Sequence, residues 1–282
     1  MRVAPPRVFP VATGAARPPM DAGGSADAYR QTTFVLGTDV ELVLRGLNAE
    51  GEAAAASSGA KFRGQATAAA MGLWSRSWLA RLEALHAVQW GNYVAAISLV
   101  RSAADYIAAE LYLLRSAAAE WDEWLADGGV ARADDVHATE YRLHAFRAAE
   151  VLAAHEILGL IYRQATDLSL PHFGATLVAV GSDSDTERVA MTFGDRDFHV
   201  GLAELCLEWL VQLGIAQADA VREHGTVFGA ADALAAFAAD ARDRPEQATR
   251  CAIEMLERDG APRMLIRNWR RVQGAAAKRL LL

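Results

Sequence analysis

The positions of the prolines constrain this fold more than any other feature of the 282-residue sequence. Five of the eight prolines lie within the first 19 residues, and none occurs from Met20 to Leu170. Because proline breaks the interior of a helix, so long a stretch without it is typical of a helical body. Hydrophobic residues make up 52% of the chain, enough for a sizeable core. The Pro/Ala/Gly-rich residues 1–26 are predicted to be a disordered extension.

Apolar side chains recur at helical spacing along much of the chain. We predict the main helices over about 39–47, 62–88, 93–125, 134–166 and 197–222. Met71, Trp74 and Trp78 fall on one face of the second of these, and we expect that face to line the interior. In the third, apolar residues alternate spacings of four and three, which is typical of a helix packed along its neighbours in a bundle.

The pattern changes after Pro171. Residues 175–181 and 187–193 have the composition of strands, and the polar cluster at 182–185 between them is typical of a turn. We therefore predict a β-hairpin at about 175–193, which must lie on the helical body or pair with another chain because a lone hairpin is marginal in water. The predicted fold class is mainly α, a multi-helix bundle-like domain over 27–260 with one inserted β-hairpin.

The charge is distributed unevenly along the chain. A net charge of −7 argues against general nucleic-acid affinity, but residues 263–282 hold six basic side chains and no acidic one. We predict a basic C-terminal helix or tail over 261–282. It can be a solvated surface, or it can dock on the acidic body, on a partner protein or on RNA. The residues that would contact RNA are Arg263, Arg267, Trp269, Arg270 and Arg271.

The two cysteines, Cys206 and Cys251, lack the spacing of a metal site and are predicted to be reduced, buried thiols in a cytoplasmic protein, with a single disulfide as the alternative. The charge-free run between Glu83 and Arg101 is 17 residues long and contains polar residues, so we predict no membrane contact. Phosphate-loop, dinucleotide-binding and Gly-x-Ser-x-Gly motifs are absent from the sequence, and no cofactor is predicted.

The predicted helix over 134–166 carries an unusual stripe of histidine and tyrosine where aliphatic residues are common. Its polar members are His137, Tyr141, His144, His155 and Tyr162. His137 and His144 are separated by roughly 10 Å along a helix, so one metal ion cannot bind the histidines of this stripe together. The stripe can be a set of half-buried, hydrogen-bonded side chains, or it can line a cleft in which one histidine acts as acid or base.

The possible metal motifs are incomplete. Glu83 and His86 form one Glu-x-x-His element, but a di-metal bundle site needs two such elements and two further glutamates. His155-Glu156 begins like His-Glu-x-x-His, yet Gly159 occupies the position of the second histidine. We therefore predict no metal site.

Polar residues around the ends of two long predicted helices carry a family resemblance. Arg101 and Asp105 precede an aliphatic-aromatic run that ends in Leu111-Tyr112-Leu113. The next long helix contains Tyr162 and is followed by Asp167 and His172. Over about residues 70–225 this arrangement resembles bacterial helical proteins that are grouped with the HEPN-like folds. The resemblance implies a helical module in a stress or defence setting.

Many HEPN proteins are ribonucleases that use an Arg-x(4–6)-His motif, in which the pair engages the scissile phosphate and the histidine assists proton transfer. The resemblance therefore implies RNA-directed activity, with Arg132 and His137 as the catalytic pair at the start of a helix. Arg81 and His86 match the same spacing. Matches of this kind arise by chance in a chain rich in arginine, so a catalytically degenerate member is the alternative.

Three functions remain open from the sequence. The first is the HEPN-like, RNA-directed module, and the second is a helical interaction or scaffold protein, including a homo-oligomer, that uses the hairpin and the basic tail. The third is a small-molecule-binding bundle. The residues expected around a binding cleft are Arg101, Asp105, Tyr141, His144, His155, Tyr162, Asp167 and His172.

Overall fold

The computed structural model describes residues 4–57, 64–115, 148–185, 187–225, 231–245, 247–258 and 260–282. The helices in these ranges are α1 (Gly24–Val35), α2 (Gly37–Ala56), α3 (Gln65–Gln89), α4 (Tyr93–Arg115), α5 (Ala148–Ala154), α6 (Glu156–Ser169), α7 (Phe173–Val180), α8 (Val200–Glu223) and α9 (Asp232–Arg242). The strands are β1 (Ala252–Arg258), β2 (Ala261–Trp269) and β3 (Lys278–Leu281). The chain is thus mainly helical with a small antiparallel sheet, and the predicted fold class is confirmed.

The β-structure lies elsewhere than predicted. Residues 173–180 form α7, and the segment after it reaches α8 without a strand in its described residues. The prediction of a hairpin at 175–193 was therefore wrong, because a short apolar run fits a strand and a buried helix equally well. A cap favours the helix here, because Nδ1 of His172 accepts a hydrogen bond from the backbone N–H of Ala175 (3.1 Å) at the start of α7.

The predicted basic helix over 261–282 was also wrong, because this segment supplies β2 and β3. The sheet order is β1-β2-β3, and β1 pairs with β2 from Ala252 opposite Arg267 to Arg258 opposite Ala261. Met264 and Ile266 are buried at a spacing of two residues, which is the period of a strand with one covered face. Gly260 has a φ of 72° in the tight connection between β1 and β2, a conformation that favours glycine.

The helical body is built around α4 and α8. α4 packs along α3 and also contacts α5, α6 and α8, while α8 contacts α2, α3 and α9. Among the described residues, α8 is the one helix that is long and apolar enough to cross a membrane, but most of it is buried inside the protein. Burial against neighbouring helices is what the core helix of a bundle shows.

Charged side chains are buried where α2, α3, α4 and α8 meet. The carboxylate of Glu50 accepts two hydrogen bonds from the guanidinium of Arg81 (2.5 and 2.6 Å) and one from Trp74 Nε1 (2.9 Å). Glu110, on α4, accepts from the side-chain amide of Gln217 (2.9 Å), and burial raises the pKa of this carboxyl to about 8. The bundle therefore contains a paired charge beside a carboxyl that is held largely neutral at pH 7.

The predicted helix over 134–166 is interrupted at His155. α5 ends at Ala154, and His155 caps α6 by accepting a hydrogen bond from the backbone N–H of Leu158 at its Nδ1 (3.4 Å). The two helices approach closely here, because a Cβ on Gly159 would lie 2.1 Å from the carbonyl oxygen of Leu152. A side chain at position 159 would force the helices apart, so glycine is required there.

The C-terminal part of the chain is fixed to the helical body by ion pairs. Asp39, near the start of α2, pairs with Arg244 (2.8 Å) and with Arg250. Glu204, on α8, accepts from Arg270 (2.9 Å) and from the backbone N–H of Cys251 (2.9 Å). These contacts join α2, α8 and the sheet, and each arginine neutralises a carboxylate that is itself mostly covered.

Candidate ligand-binding site

Four of the predicted site residues lie outside the described ranges. They are Arg132, His137, Tyr141 and His144. The predicted ribonuclease pair and the first part of the histidine-tyrosine stripe therefore stay predictions.

The structure brings Arg101, Tyr162 and Thr166 together between α4 and α6. Arg101 donates from Nη2 to the hydroxyl of Tyr162 (3.1 Å) and from Nε to Thr166 Oγ1 (3.2 Å). Its guanidinium also lies 5.2 Å from the centroid of the Tyr162 ring, within the range of a cation–π contact. Asp105 lies one turn further along α4 and is half-buried. Arg101 and Tyr162 thus bind each other across a helix interface.

The histidines at the ends of the short helices act as caps. Nδ1 of His155 and of His172 each accepts a backbone N–H at a helix start. His172 also donates from Nε2 to the backbone carbonyl of Asp167 (2.9 Å), which is how these two predicted residues meet. His199 repeats the pattern at the start of α8, with Leu202 as the donor (3.3 Å). Because a capping Nδ1 uses its lone pair, these imidazoles are engaged structurally.

Most of the residues predicted to contact RNA make contacts within the chain. Trp269 is 5% exposed and its ring lies 4.3 Å from that of His199, so this indole is packed inside the protein. Arg270 pairs with Glu204, and Arg267 pairs with Glu254 across the sheet (2.9 Å). Arg271 lies within 3.4 Å of Asp183, Asp195 and Asp197. Arg263 is exposed.

An apolar cavity of about 1060 Å³ lies between α2, α3 and residues 4–13. Its helical walls are formed largely by Leu47, Met71, Trp74, Trp78 and Leu79. The tryptophans lie one turn apart on α3, so their rings reach the same side of the helix. The sequence pattern correctly placed these side chains on one face of α3. The prediction that this face lines the interior did not include a cavity.

The polar atoms of the two cavity tryptophans are already satisfied. Trp74 Nε1 donates to Glu50, and Trp78 Nε1 donates to the backbone carbonyl of Leu47 (2.9 Å). Glu50 is in turn neutralised by Arg81, which is 2% exposed. The half-buried indole of Trp78 therefore presents apolar ring surface to the cavity, whereas Trp74 is 2% exposed and lies behind the wall. Polar side chains such as Asn48 and Ser75 lie at the edge of the cavity.

The N-terminal segment forms one side of this cavity and is anchored beside it. The hydroxyl of Thr13 donates to Asn48 Oδ1 (2.7 Å), and His86 Nε2 donates to the carbonyl of Thr13 (3.0 Å). Trp90 Nε1 donates to the carbonyl of Ala16 (2.9 Å), and Pro18 is buried. Residues 4–18 contain neither helix nor strand, so the segment contacts the body as an irregular chain.

A second cleft, of about 800 Å³, lies between α2, α8, α9 and the loop that precedes β1. Its arginines are paired with carboxylates, as with Arg244 on Asp39 and Arg45 on Asp240 (2.9 Å). In the described ranges, His, Cys, Asp and Glu side chains form no group of three or more that could hold a metal ion. Of the two clefts, the apolar one is the better candidate for a ligand.

Comparison with known proteins found no matching family model, no matching curated protein and no matching solved structure.

Proposed function

We propose that this chain is a small-molecule-binding helical module that takes an uncharged, apolar or aromatic ligand in the cavity under its N-terminal segment. The observation that carries the proposal is the apolar wall of the cavity, in which the half-buried ring of Trp78 is backed by the buried ring of Trp74. The N–H groups of both indoles are hydrogen-bonded within the chain. A ligand there gains apolar contact without competing for those donors. The proposal keeps the predicted class of a ligand-binding bundle and moves its site from the histidine-tyrosine stripe to α2 and α3.

The size and the electrostatics of the cavity favour this class of ligand. A volume of about 1060 Å³ lies just above the range of roughly 300–1,000 Å³ that is usual for small-molecule sites. The buried ion pair of Glu50 and Arg81 leaves no net charge behind the aromatic wall. The other charged residues of the lining, Arg7 and Glu52, are exposed. An ionic ligand group buried against the ring surface without contacting them would cost several kcal/mol or more, so we expect discrimination against charged compounds.

Two glycines give a direct test of where the ligand binds. Gly51 and Gly72 line the cavity, and a Cβ built on either meets no atom within 4 Å. Gly72→Leu should therefore occupy the cavity without a clash, and it should also favour the helix because glycine is a poor helix former. Gly37→Leu is a matched control, since Gly37 has equally open space at the start of α2 and does not line the cavity.

The probe is N-phenyl-1-naphthylamine, an uncharged molecule that becomes fluorescent when it enters an apolar site. We expect saturable uptake by the parent and by Gly37→Leu, and a loss of at least tenfold in affinity for Gly72→Leu with thermal stability retained. Absence of saturable uptake by the parent, or equal uptake by Gly72→Leu, would contradict the proposed function.

The RNA-directed alternative is supported by the HEPN-like resemblance of the sequence. Its test compares the cleavage of total RNA by the purified parent and by an Arg132→Ala/His137→Ala variant. Cleavage by the parent that the variant loses would favour this function over ligand binding. Equal cleavage by both proteins, or none by either, would remove the nuclease hypothesis.

A further inference from the structure

The segment between α7 and α8 makes backbone hydrogen bonds along one edge. Arg188 donates its N–H to Asp185 Oδ1 (2.7 Å), and its carbonyl accepts from the N–H of Asp185 (2.9 Å). Ser184 Oγ accepts from the N–H of Ala190 (2.9 Å) and donates to the carbonyl of the same residue (3.2 Å). The N–H of Thr192 then donates to the last carbonyl of α7 (2.8 Å). Contacts at every second residue are the pattern of an extended chain.

The intervening residues present apolar side chains to solvent. Val189 and Met191 are about half exposed, and Phe193 is fully exposed. Within the described part of the chain, the backbone N–H and carbonyl groups of these three residues make no hydrogen bond. Successive residues of an extended chain direct these groups to opposite edges, so the second edge of this segment is open. An open edge that carries apolar side chains is a template for pairing with another strand.

The open edge is symmetric about Met191. An antiparallel copy placed on a two-fold axis at this residue sets Met191 opposite itself and Val189 opposite Phe193. Residues opposite each other in an antiparallel pair share a face, so the apolar side chains of both copies form one continuous strip. At the next outward positions Glu187 falls opposite Asp195, and their like charges end the strip. The pattern therefore matches a second copy of this chain in a single register.

We propose that residues 188–193 pair antiparallel with the same residues of a second copy, so that the chain forms a two-fold symmetric dimer through this edge. The composition of 187–193 favours the same pairing, because it is typical of a strand although these residues join no sheet within one chain. A two-fold contact closes after two copies and leaves no edge for further growth. None of these residues lines the apolar cavity, so the inference does not depend on the proposed function.

Sedimentation of the full chain over a range of concentrations tests the association. Each copy contributes a short segment, so the interface is smaller than a standard one and the dimer should be weak. We expect a Kd on the order of 10–100 µM. Each copy carries a net charge of −7, so added salt should screen the repulsion between copies and lower this Kd.

A charge on the two-fold axis should separate the copies. Met191→Lys places two ammonium groups opposite each other, and we expect the Kd to rise at least tenfold. Phe34→Lys is the matched control, since Phe34 is an exposed apolar residue near the end of α1 and lies outside the proposed interface. Neither side chain belongs to the core, so both variants should keep the melting temperature of the parent.

Cysteine cross-linking tests the register. Opposite residues that exchange hydrogen bonds in an antiparallel pair have Cα atoms about 5.5 Å apart, within reach of a disulfide. Met191→Cys should therefore form a covalent dimer with copper phenanthroline as oxidant, whereas the two native cysteines are buried. Thr192→Cys is the matched control, because its two copies lie diagonally at roughly 7–8 Å, too far to be bridged. Val189→Cys and Phe193→Cys should form the disulfide only when the two variants are mixed.

The inference would be overturned by a parent that stays monomeric up to about 1 mM. A dimer that Met191→Lys leaves intact, or that Phe34→Lys dissociates equally, would place the contact on another surface. Efficient cross-linking of Val189→Cys alone, or equal cross-linking of Thr192→Cys and Met191→Cys, would exclude the pairing about Met191. Uptake of N-phenyl-1-naphthylamine by Met191→Lys should equal that of the parent, so failure of the dimer and failure of the cavity are distinguishable.

Discussion

Acidification should destabilise this protein through one buried histidine, His199. Its Nδ1 caps α8, its backbone N–H donates to the hydroxyl of Tyr93 (3.0 Å), and its ring packs on Trp269. The residue is 3% exposed, and burial, assisted by the positive charge of Arg271, lowers the pKa of the imidazole to about 3. Protonation in the folded state would place a charge in the core and would remove the cap of α8.

The sign and the size of the effect follow from proton linkage. The unfolded chain binds a proton on this imidazole near pH 6.5, whereas the folded chain does so near pH 3. Between these values the unfolded state binds more protons, so the contribution of His199 is fully present above pH 6.5 and is lost as the pH falls towards 3. At about 1.36 kcal/mol per unit, the free energy of unfolding should fall by about 2 kcal/mol from this residue by pH 5.

The assay is urea denaturation followed by circular dichroism, at pH 7.5 and at pH 5.0, for the parent and for His199→Asn. Asparagine can cap the helix with its side-chain oxygen but does not titrate. The drop in the free energy of unfolding between the two pH values should be about 2 kcal/mol larger in the parent. All other titrating groups are common to both proteins and cancel. An equal pH dependence in the two proteins would refute the reasoning, whatever their absolute stabilities.

Three further substitutions test the interior. Between pH 4.5 and 8 the folded parent holds a proton on Glu110 that the unfolded chain has released, so its free energy of unfolding should fall by about 3 kcal/mol by pH 7. Glu110→Gln should remove this pH dependence, which urea denaturation at pH 5 and pH 7 measures. Arg81→Met leaves Glu50 buried without its ion-pair partner and should lower the free energy of unfolding by about 3–5 kcal/mol. The double variant Arg81→Met/Glu50→Met should recover most of that loss, and a double variant as unstable as the single one would contradict the pairing. Gly159→Ala sets a methyl group against the carbonyl of Leu152 and should lower the melting temperature by several degrees, and an unchanged melting temperature would mean that the two helices can separate freely.

The features that were predictable from the sequence are those set by local periodicity. The body of α4 follows from apolar residues at alternating spacings of four and three, and the shared face of Met71, Trp74 and Trp78 on α3 follows from their spacing. The position of the sheet was not predictable in this way. Residues 173–180 are apolar but short, and their state is decided by a cap from His172, a residue type outside the usual set of Ser, Thr, Asp and Asn.

The candidate sites depend on contacts between residues far apart in the chain. Thr13 meets Asn48, and its carbonyl meets His86, a separation of 73 residues. Proline content led to the prediction of a disordered extension over 1–26. The contacts of Thr13 and Ala16 were not predictable, because the donors that receive these residues lie on a helix with the pattern of an ordinary bundle member. The ion pairs of the basic C-terminus were equally hard to predict. Its charge could be read from the sequence, but its carboxylate partners, such as Glu204 for Arg270, lie in another element.

The pairing of Asp39 with Arg244 and Arg250 has a consequence for how the chain is made. The partners are separated by 205 and 211 residues, so α2 leaves the ribosome long before its counter-ions exist. At synthesis rates of about 5–20 residues per second, this carboxylate waits roughly 10–40 s for them. The contacts of α3 with α4 can form early because the two helices are consecutive. The surface shared by α2, α8 and the sheet can be completed only after the sheet residues have been synthesised. During that interval the nascent chain exposes an acidic, incompletely covered α2, which is the form that chaperones and proteases would encounter.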